Sequence, residues 1–586
     1  MNRYNYLLTE RKWQERWKAQ TAFDSEHKQK LIAGNTIPDS LPLHMGHARG
    51  LVALDVLVRF YQMHGYSVSW YLGLPFLAFP EASEGSELVL SNLKQAQQSL
   101  LQIGLHCSFE DPEAVQRKVY EFSRWFFLAM WQNGLVYGRP SGDSCPFCGN
   151  VFSAEVVSKG ICTQCGSSAF DWYADFSPYA ETLQSDLLVS SQSDGMAVRP
   201  WRISGQSSVP IPLILCPTCG VVAEDVVTRS SGSECGPDGS FGFVGDEALC
   251  PICGRVAAKE TKTLDRSFVE CITLLYLAGS KEGIDGDYRN VPGSFDIFAG
   301  SISWARKDYL HLRSLTSLMH DGDEGCKIEP VKRLVVVGHT KFSSEGAKRD
   351  ADLQRMLKIY GADTCRWHLM FYAPLDRDIT WSDEAIEGSY RFICRVWRLV
   401  HAVVVASEAN KAKAVRANDE QENMLKESLC RTAQEIAEIT NGSTRLNFVC
   451  SLLMTLANQI EEYMKSREGD LDLELLLDAA SILVKMLYPF IPHAAAELWE
   501  VLGGSEEGLV FGWPDLEMDF QCSRNIEIVV QINGKKRAMI SVSSSASREE
   551  IEKAAIANPR IQQLISDSEV HKIVVVPGEV VNIVAG

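Results

Sequence analysis

The sequence has no long apolar run. No stretch of about 18 uncharged apolar residues occurs, so no membrane-spanning helix of ordinary length is expected. The first residues, MNRYNYLLTERKWQERWKAQ, are polar and of mixed charge, so they lack the apolar core of a signal peptide. The sequence also lacks internal repeats and long low-complexity tracts. We therefore expect a cytoplasmic protein with no membrane partner.

Positive charge is also scarce. The 57 Lys and Arg residues face 75 Asp and Glu residues, which gives a formal net charge of −18. This charge argues against loose electrostatic binding of polyanions, although an acidic protein can still carry a local basic groove. Hydrophobic residues make up 46% of the chain, as in an ordinary globular protein. At 586 residues the chain is too long for one core, which predicts about two to four domains.

Eight of the 17 cysteines fall in four Cys-x-x-Cys pairs. In a reducing compartment such pairs indicate metal rather than disulfides. Four thiolates leave no open coordination position, so the sites are expected to be structural. Cys235 lies within the second group and is an alternative ligand there. The sequence therefore predicts one or two structural Zn²⁺ ions, the first at Cys145, Cys148, Cys162 and Cys165, and the second at Cys216, Cys219, Cys250 and Cys253.

A β-α-β order is predicted near the N-terminus. KLIAGNTIPD is typical of a strand that runs into a loop, HARGLVALDVLVRFYQMHGY has helical apolar spacing and ends at Gly65, and SVSWYLGL is typical of a second strand. This order indicates a parallel sheet. RLVVVGHT is predicted to be a buried strand that leads into the polar loop KFSSEGAKRDAD.

The rest of the chain is predicted to be mainly helical until its C-terminal part. An amphipathic helix is expected at 8–20, and residues 385–500 have a helical pattern with few Gly or Pro, which favours a separate bundle. The C-terminal segment predicts a strand, a hairpin at Asn533-Gly534, a strand, a helix and a strand, which is a compact α+β module.

His44-Met-Gly-His47 lies where the first predicted strand and loop meet a helix. Free N–H groups and the positive dipole end at a helix N-terminus suit phosphate, and histidines there can donate hydrogen bonds to phosphate oxygens. A metal site and a plain surface turn remain alternatives on these four residues alone.

His-x-Gly-His after a first strand resembles the HIGH signature of class I aminoacyl-tRNA synthetases. The neighbourhood LHMGHARGLVALDVLVRFYQMHGYSV, together with ETKTLD, YGADTCRWHLMFYAPLDRDITWSDEAIEGSYRF, YPFIPHAAAELWEVLG and VVQINGKKR, is similar to leucyl-tRNA synthetases over nearly the whole chain. The resemblance implies an α/β class, with a Rossmann-like catalytic domain that carries inserted zinc knuckles, then an α-helical anticodon-binding-type bundle and a small α+β C-terminal domain. The expected divisions are 1–140 and 263–384 for the catalytic halves, 141–180 and 181–262 for the knuckle and connective segments, 385–515 for the bundle and 521–586 for the C-terminal domain.

The resemblance also implies ligands. They are ATP with Mg²⁺, an amino acid and a leucine-type tRNA, bound by a monomer. The catalytic residues would be His44, His47 and Lys341, and tRNA would contact Lys535, Lys536 and Arg537, unless this trio is simply a solvated turn. The family's large editing domain has no counterpart here, so post-transfer editing is not expected. The implied ATP site comprises His44, Gly46, His47, Gly300, Ser301, Trp304, Lys341, Ser343 and Lys348.

The family's second signature, KMSKS, is altered to Lys341-Phe-Ser-Ser-Glu-Gly-Ala-Lys348. Lys341 and Ser343 match, but Ser344 replaces the second lysine and a carboxylate follows it. Losing a cation beside a triphosphate should cost several kilocalories per mole in a poorly solvated site. Lys348 or Arg349 is an alternative source of positive charge.

The substrate pocket departs furthest from the family pattern. Ser303 and Trp304 replace the Glu-His of the adenosine motif, and Pro75 stands where an aspartate would hold the substrate ammonium. Tryptophan there could stack on a base or fill the pocket. The altered pocket comprises Thr36, Pro38, Asp39, Pro75 and Ser303.

Two functions follow from these departures. The first is an enzyme that activates leucine or an altered substrate as an adenylate and transfers it to tRNA or another acceptor, including in a specialised biosynthetic pathway. The alternative is a catalytically inactive pseudo-synthetase that binds tRNA or a partner protein.

Asp39 offers a test of the altered pocket, because it is a carboxylate that the family pattern lacks at this position. If Asp39 takes over the substrate ammonium from the position of Pro75, Asp39→Ala should weaken amino-acid binding by about tenfold or more. Equilibrium binding of the amino acid to both proteins measures this effect. Unchanged binding would instead indicate a substrate without an α-ammonium at this place.

Overall fold

The protein is described from a computed structural model. The described residues are 3–18, 29–34, 43–72, 86–105, 112–144, 151, 161–162, 168–176, 200–223, 247–279, 295–301, 312–313, 315–316, 331–344, 351–382, 385–409, 420–466, 472–505, 512–514, 525–543, 548–565, 570–576 and 580–585.

The helices of these residues are numbered in chain order. They are α1 (Tyr6–Lys18), α2 (Met45–Met63), α3 (Ser86–Gln102), α4 (Pro112–Gln132), α5 (Arg266–Gly279), α6 (Leu353–Tyr360), α7 (Ala362–Phe371), α8 (Ile386–Ala409), α9 (Glu420–Gly442), α10 (Leu446–Ser466), α11 (Leu473–Leu487), α12 (Pro492–Val501), α13 (Arg548–Ala557) and α14 (Pro559–Ile565).

The strands are numbered in the same way. They are β1 (Gln29–Gly34), β2 (Ser67–Leu72), β3 (Val136–Pro140), β4 (Phe170–Ala174), β5 (Trp201–Arg202), β6 (Ser204–Pro210), β7 (Leu213–Cys216), β8 (Gly220–Ala223), β9 (Glu247–Leu249), β10 (Val256–Lys259), β11 (Thr263–Leu264), β12 (Ile297–Ser301), β13 (Leu334–Val337), β14 (Thr340–Lys341), β15 (Ile379–Thr380), β16 (Asn525–Ile532), β17 (Lys535–Ser543), β18 (Val570–Val576) and β19 (Val580–Ala585).

Strands β13, β12, β1 and β2 form a four-stranded parallel sheet in that order. The predicted β-α-β unit is confirmed, since β1 leads through α2 to β2, and Gly65 takes φ +77° just beyond the end of the helix. The chain later returns to the opposite side of β1 to form β12 and β13. The strand order therefore reverses between β1 and β12, and ligands bind at such switch points in open parallel sheets.

Helix α2 is the central element of the largest core. Nearly all its residues from Leu51 to Phe60 are buried, including the charged Asp55 and Arg59. The helix contacts the sheet on one side and α7 on another. Because it is covered on several faces, α2 carries apolar residues nearly all round, as expected for a buried helix.

A second core lies under a separate sheet of strands β3, β4 and β5, which pair antiparallel. The inner face of this sheet contributes Trp172 and Trp201, which pack with aromatic residues of α4 and α5 such as Phe122 and Phe268. Phe298 of β12 belongs to the same core. The three-stranded sheet β3-β4-β5 and the parallel sheet β13-β12-β1-β2 therefore both contribute to this second core.

Helices α8 to α12 form the predicted helical bundle, and their buried residues belong to the same core as α2. The N-terminus of α12 is capped from another element: the carboxylate of Asp363 in α7 accepts the backbone N–H of Ala494 at 2.6 Å and that of His493 at 3.3 Å. Its Oδ1 also lies 2.8 Å from Nδ1 of His493. An acidic side chain satisfies the free N–H groups of a helix start.

The bundle is also held from the side of the parallel sheet. Arg333, just before β13, donates to the carbonyl oxygens of Thr440, Asn441 and Ser443 at 2.5, 3.1 and 2.6 Å. These carbonyls lie at the end of α9, where the backbone has no partner within the helix. A guanidinium satisfies them and complements the negative end of the helix dipole.

The C-terminal α+β module has the strand order β17-β16-β19-β18. The predicted hairpin at Asn533-Gly534 is confirmed, with φ values of +50° and +76°, and these positive values are those of a type I′ turn. The predicted order was incomplete, because two helices and two strands follow β17 rather than one of each. The sequence pattern indicates one helix where the structure has α13 and α14, and one strand where it has β18 and β19.

No helix within the described ranges is both long and apolar enough to cross a membrane.

Glu10 of α1 is a carboxyl group buried at the edge of the largest core. Its Oε1 accepts the backbone N–H of Asp363 at 3.2 Å at the start of α7. A side chain on Gly361, which has φ +83°, would come within 2.6 Å of the same oxygen. Burial, and then the nearby Asp363 carboxylate, raises the pKa of Glu10 well above its ordinary value of 4.5.

This raised pKa predicts a pH dependence of stability. Above pH 4.5 the folded protein keeps the Glu10 proton that the unfolded chain releases, so stability falls as pH rises towards the folded pKa. Glu10→Gln keeps the acceptor oxygen without the charge, and should remove a slope of up to about 1.4 kcal/mol per pH unit. Urea unfolding across the pH range measures this effect. Glu15→Gln, an exposed change on the same helix, should leave the slope intact, and equal slopes in all three proteins would contradict the assignment.

Candidate nucleotide site and metal centre

A cavity of about 300 Å³ opens at the carboxyl ends of the parallel strands. This is the lower end of the size range of ligand pockets, roughly 300–1,000 Å³. The cavity lies at the reversal of strand order described above, between the start of α2 and the ends of β12 and β13. It is lined by His44, Gly46, His47, Gly50, Leu51, Leu54, Ala299, Gly300, Ser301, Val337, Gly338, His339 and Thr340.

The rings of His44 and His47 stack on each other at the N-terminus of α2. Their ring centroids are 3.6 Å apart with an interplanar angle of 19°. Nδ1 of His47 accepts the backbone N–H of His44 at 3.3 Å, so a neutral His47 ring carries its proton on Nε2. The ring of Phe342 packs edge-on against the ring of His44, with the two ring centroids 4.9 Å apart. The Nε2–H donor of His47 is therefore held at the N-terminus of α2. A helix N-terminus is a position that favours a bound anion.

Gly46 is required by close packing. A Cβ there would lie 2.8 Å from Cβ of Thr340 and 3.0 Å from the His44 ring. The glycine therefore lets the start of α2 approach the segment after β13. Oγ1 of Thr340 is buried there and makes no hydrogen bond within the part of the chain that the structure describes.

The KMSKS-like segment begins as a strand rather than the predicted loop. Thr340 and Lys341 form β14, which pairs in parallel with Ile379 and Thr380 of β15. This pairing explains the difference, since a two-residue strand depends on a partner distant in the sequence. Residues 342–344 continue without regular structure.

Lys341 forms an ion pair with Asp378, with Nζ 2.9 Å from Oδ2. Oδ1 of Asp378 accepts the backbone N–H of His339 at 2.9 Å. The hydrogen bond from Lys341, followed by that from His339, lowers the pKa of Asp378. Both side chains of the pair are exposed, at 67% and 43%, so the pair is weak and readily exchanged for another anion.

Arg49 holds the segment that carries Asp378. Its side chain is fully buried, and it donates to the carbonyl oxygens of Pro374 at 2.6 Å and Arg377 at 2.8 Å. Burial lowers the pKa of Arg49, while Asp376 and Asp378 act in the opposite sense. Arg49 therefore links the histidine helix to the partner of Lys341.

The histidine turn also contacts the chain that follows the KMSKS-like segment. Met45 donates to the carbonyl of Ala351 at 3.0 Å, and Leu353 donates to the carbonyl of Leu43 at 2.8 Å. Asp352 caps α6 by accepting the backbone N–H of Arg355 at 2.8 Å. The histidine turn therefore contacts the chain before residues 345–350, at Thr340 and Phe342, and after them, at Ala351 and Leu353.

The structure brings together part of the ATP site inferred from the sequence. His44, Gly46, His47, Gly300 and Ser301 all line the cavity. Lys341 and Ser343 lie on the adjoining segment 340–344. Trp304 and Lys348 of the inferred ATP site lie outside the described residues, and so does the whole inferred substrate pocket; their roles stay predictions. The pocket residues are Thr36, Pro38, Asp39, Pro75 and Ser303.

Sequence reasoning missed Arg49, Thr340 and Asp378. Arg49 gave one signal, because it is one of three charged residues in the largely apolar stretch that becomes α2. Thr340 and Asp378 gave none, because their positions depend on the pairing of β14 with β15.

The second cysteine group forms a compact four-sulfur cluster. The sulfur atoms of Cys216, Cys219, Cys250 and Cys253 all lie within 4.8 Å of one another, and those of Cys216 and Cys253 are 3.5 Å apart. Tetrahedral zinc with bonds of about 2.3 Å places its sulfur ligands about 3.8 Å apart. The donor set therefore fits zinc.

Two hairpin turns of the antiparallel sheet β8-β7-β10-β9 present these thiols. Gly220 and Gly254 close the turns with φ values of +81° and +69°. The backbone N–H of Cys219 points to the Cys216 sulfur at 3.4 Å and is the main cause that lowers the Cys216 pKa to about 6. A lowered pKa favours the thiolate, which is the form that binds metal.

The first cysteine group is described only in part. Cys162 is buried, while Cys145, Cys148 and Cys165 lie outside the described residues, so that zinc site remains a prediction. The same holds for Cys235 as an alternative ligand of the second site. Lys535, Lys536 and Arg537 are exposed at the start of β17, and their contact with tRNA is also untested.

Comparison with known proteins supports the resemblance. Residues 426–553 match the family described as the anticodon-binding domain of tRNA ligase. A leucine–tRNA ligase of Ectopseudomonas mendocina is 30% identical over 480 residues, which is 70% of this chain and 54% of that protein. One of Nitratidesulfovibrio vulgaris is 31% identical over 506 residues, 80% of this chain and 59% of that protein. The chain thus spans somewhat more than half the length of these relatives.

The chain is a class I synthetase-like homologue of the leucine–tRNA ligases. Its fold is similar to that of the Agrobacterium radiobacter K84 agnB2 leucyl-tRNA synthetase, described in complex with tRNA and LeuAMS, with a TM-score of 0.72, 18% identity and full coverage of both chains. Mycobacterium tuberculosis methionyl-tRNA synthetase, with methionyl-adenylate, gives a TM-score of 0.59 at 13% identity, over 83% of this chain and 96% of that one. The predicted fold class is therefore confirmed.

The four-sulfur cluster predicts a measurable metal content. Purified wild-type protein should lose about one equivalent of zinc per chain when Cys250 and Cys253 are both changed to Ser, because two of four ligands are removed. Elemental analysis by mass spectrometry measures the zinc content per chain. Cys394→Ser, at a half-buried cysteine of α8 outside the cluster, should retain the wild-type content. An unchanged zinc content in the double variant would contradict the site.

Proposed function

We propose that this homologue binds ATP in the cavity, activates the carboxylate of leucine or a related amino acid as an adenylate, and transfers the acyl group to tRNA or another acceptor. The observation that carries the proposal is the pair of stacked histidines at the N-terminus of α2, in a cavity at the strand-order reversal. The relatives named leucine–tRNA ligase support the substrate class.

The chemistry requires stabilisation of a phosphate as charge builds on it. In the proposed reaction the substrate carboxylate attacks the α-phosphorus of ATP, and pyrophosphate leaves with the electrons of the broken P–O bond. His47 donates from Nε2, and the free N–H groups at the start of α2 add further donors. Magnesium, when bound with ATP, neutralises part of the phosphate charge.

Lys341 supplies a cation on the segment that adjoins the cavity lining at Thr340. Its partner Asp378 is exposed, so the lysine can exchange this carboxylate for a phosphate at little cost. Arg49 fixes the backbone around Asp378 and so keeps Lys341 close to the histidines. The proposal therefore uses Lys341 as the remaining cation of the altered KMSKS motif.

The acceptor side of the proposal rests on the bundle. Residues 426–553 match an anticodon-binding domain, so a tRNA is the preferred acceptor. The exposed Lys535, Lys536 and Arg537 offer positive charge in the adjoining module.

A second function is favoured by one sequence observation. Ser344 replaces the second lysine of the motif, and the loss of that cation weakens pyrophosphate stabilisation. A pseudo-synthetase that holds tRNA or a partner protein without activating an amino acid would tolerate this change.

Amino-acid-dependent exchange of labelled pyrophosphate into ATP tests the proposal. Each proteinogenic amino acid is supplied in turn, with leucine expected to be among those that support exchange. His47→Ala should lower the exchange rate on the order of 10²-fold, as for the loss of one oriented donor. His401→Ala in α8, outside the cavity lining, serves as the matched control and should leave the rate unchanged.

Two results would count against this proposal. Exchange that is equal in wild type and His47→Ala would contradict the role of the histidine. No exchange with any proteinogenic amino acid would contradict activation of these substrates and favour the pseudo-synthetase.

A further inference from the structure

The carboxylate of Asp378 gathers two hydrogen-bond donors beside the cavity. Its Oδ2 lies 2.9 Å from Nζ of Lys341, and its Oδ1 accepts the backbone N–H of His339 at 2.9 Å. A lysine ammonium group and a backbone N–H are donors that proteins commonly present to phosphate oxygens. In the free protein a carboxylate therefore occupies donors of the kind that bind a phosphate.

These donors belong to the wall of the cavity or adjoin it. His339 lines the cavity, and so does Gly338, the residue before it. A Cβ on Gly338 would clash with the backbone of Arg377, so the segment that carries Asp378 packs directly against the lining. A ligand that fills the cavity up to His339 would therefore come within reach of the donors that Asp378 holds.

The backbone around these donors is fixed, while the side chains are accessible. Gly338 donates to the carbonyl of Leu375 at 2.7 Å, and Ile379 donates to the carbonyl of His339 at 2.9 Å. The two side chains of the ion pair are 67% and 43% exposed. An incoming anion can therefore exchange with the carboxylate without disturbing the pairing of the two segments.

The imidazole of His339 adds a third donor at this place. The side chain of Thr340 packs on Gly46 at the start of α2. Because side chains alternate along an extended segment, His339 and Lys341 lie on the opposite side from Thr340, and both are exposed. An imidazole N–H donates to a phosphate oxygen in the neutral and in the protonated ring.

The arrangement favours linked phosphates over a small isolated anion. The N-terminus of α2, with Nε2–H of His47, offers one phosphate position in the cavity. Thr340 contacts the start of that helix, and the residues on either side of Thr340 carry the donors that surround Asp378. Two neighbouring phosphate positions suit the chain of phosphates in a nucleoside triphosphate.

We infer that Asp378 occupies the place of a phosphate group in the free protein, and that the β- and γ-phosphates of ATP displace it from Lys341 and His339. This inference rests on the proposed function, because it assumes that ATP binds in the cavity. It adds His339 to the residues that contact phosphate, and it makes Asp378 an internal competitor that lowers the affinity for ATP. Removal of the Asp378 charge should therefore strengthen ATP binding.

The test compares the binding of ATP with that of AMP, which lacks the β- and γ-phosphates. Isothermal titration calorimetry on the full-length protein with Mg²⁺ gives both dissociation constants. Asp378→Asn keeps an acceptor oxygen for the His339 N–H but loses the charge. Its affinity for ATP should rise roughly threefold to fivefold, the scale of one exposed ion pair, while its affinity for AMP should not change.

Two further variants separate the local contacts from general charge. His339→Ala should weaken ATP binding roughly tenfold and leave AMP binding unchanged, because it removes one donor to a charged group. Asp376→Asn is the matched control, since it removes the same charge from an exposed residue that makes no ion pair within the described ranges. This control should bind ATP and AMP as the wild type does. Circular dichroism of each variant confirms that it is folded.

Each result supports or overturns the inference. An ATP affinity of Asp378→Asn that equals or falls below the wild-type value would overturn it, and so would an equal gain in Asp376→Asn. Wild-type ATP affinity in His339→Ala would overturn the role of His339. No binding of ATP by the wild type would overturn both the inference and the ATP part of the proposed function. The expected pattern without pyrophosphate exchange would support the inference and contradict only the activation step.

Discussion

The buried ion cluster of Asp55, Arg59 and Arg366 constrains how the molecule is put together. Oδ2 of Asp55 meets Arg59 at 2.8 Å and Arg366 at 2.5 Å, and all three side chains are essentially inaccessible. Arg59 also donates to the Tyr488 hydroxyl and the Gly104 carbonyl, at 2.8 Å each, so α2, the end of α3, α7 and the bundle meet at one point. Buried charges are tolerated when their partners are complete, and the loss of one partner typically costs about 3–5 kcal/mol. The cluster therefore fixes the position of α2, which packs on the parallel sheet, relative to the helical bundle.

The cavity depends on the same helix. The half-buried N-terminal end of α2 carries the stacked histidines, its next turn carries Arg49, and the turns beyond carry the ion cluster. A helix clamped this firmly at its buried end holds its N-terminus at a set distance from β12 and β13. The Lys341–Asp378 pair beside the cavity is exposed, so the rigid histidine turn is combined with a pair that can exchange partners. This division suits the proposed reaction, in which the site would hold one phosphate group and release pyrophosphate.

Much of the architecture could be predicted from local patterns. The strand, helix and strand of the first unit, the helical region at 385–500 and the Asn533-Gly534 turn each follow from periodicity or from a specific backbone requirement. The second cysteine group was predicted from spacing alone, since turns bring i and i+3 thiols together. Patterns failed where an element owes its existence to a distant partner: β14 forms because residues 340 and 341 find residues 379 and 380.

The sequence by itself determined the family resemblance, most of the order of the elements and the residue types at the candidate site, because these lie in contiguous motifs such as His44-Met-Gly-His47. Tertiary structure alone decided which groups meet across long separations. Arg49 reaches the carbonyls of Pro374 and Arg377, Asp378 holds Lys341, and the tyrosines of β3 and β4 orient Arg139. The physical reason is that such contacts depend on the register of paired strands and the packing of buried charges, and neither leaves a periodic signal along the chain.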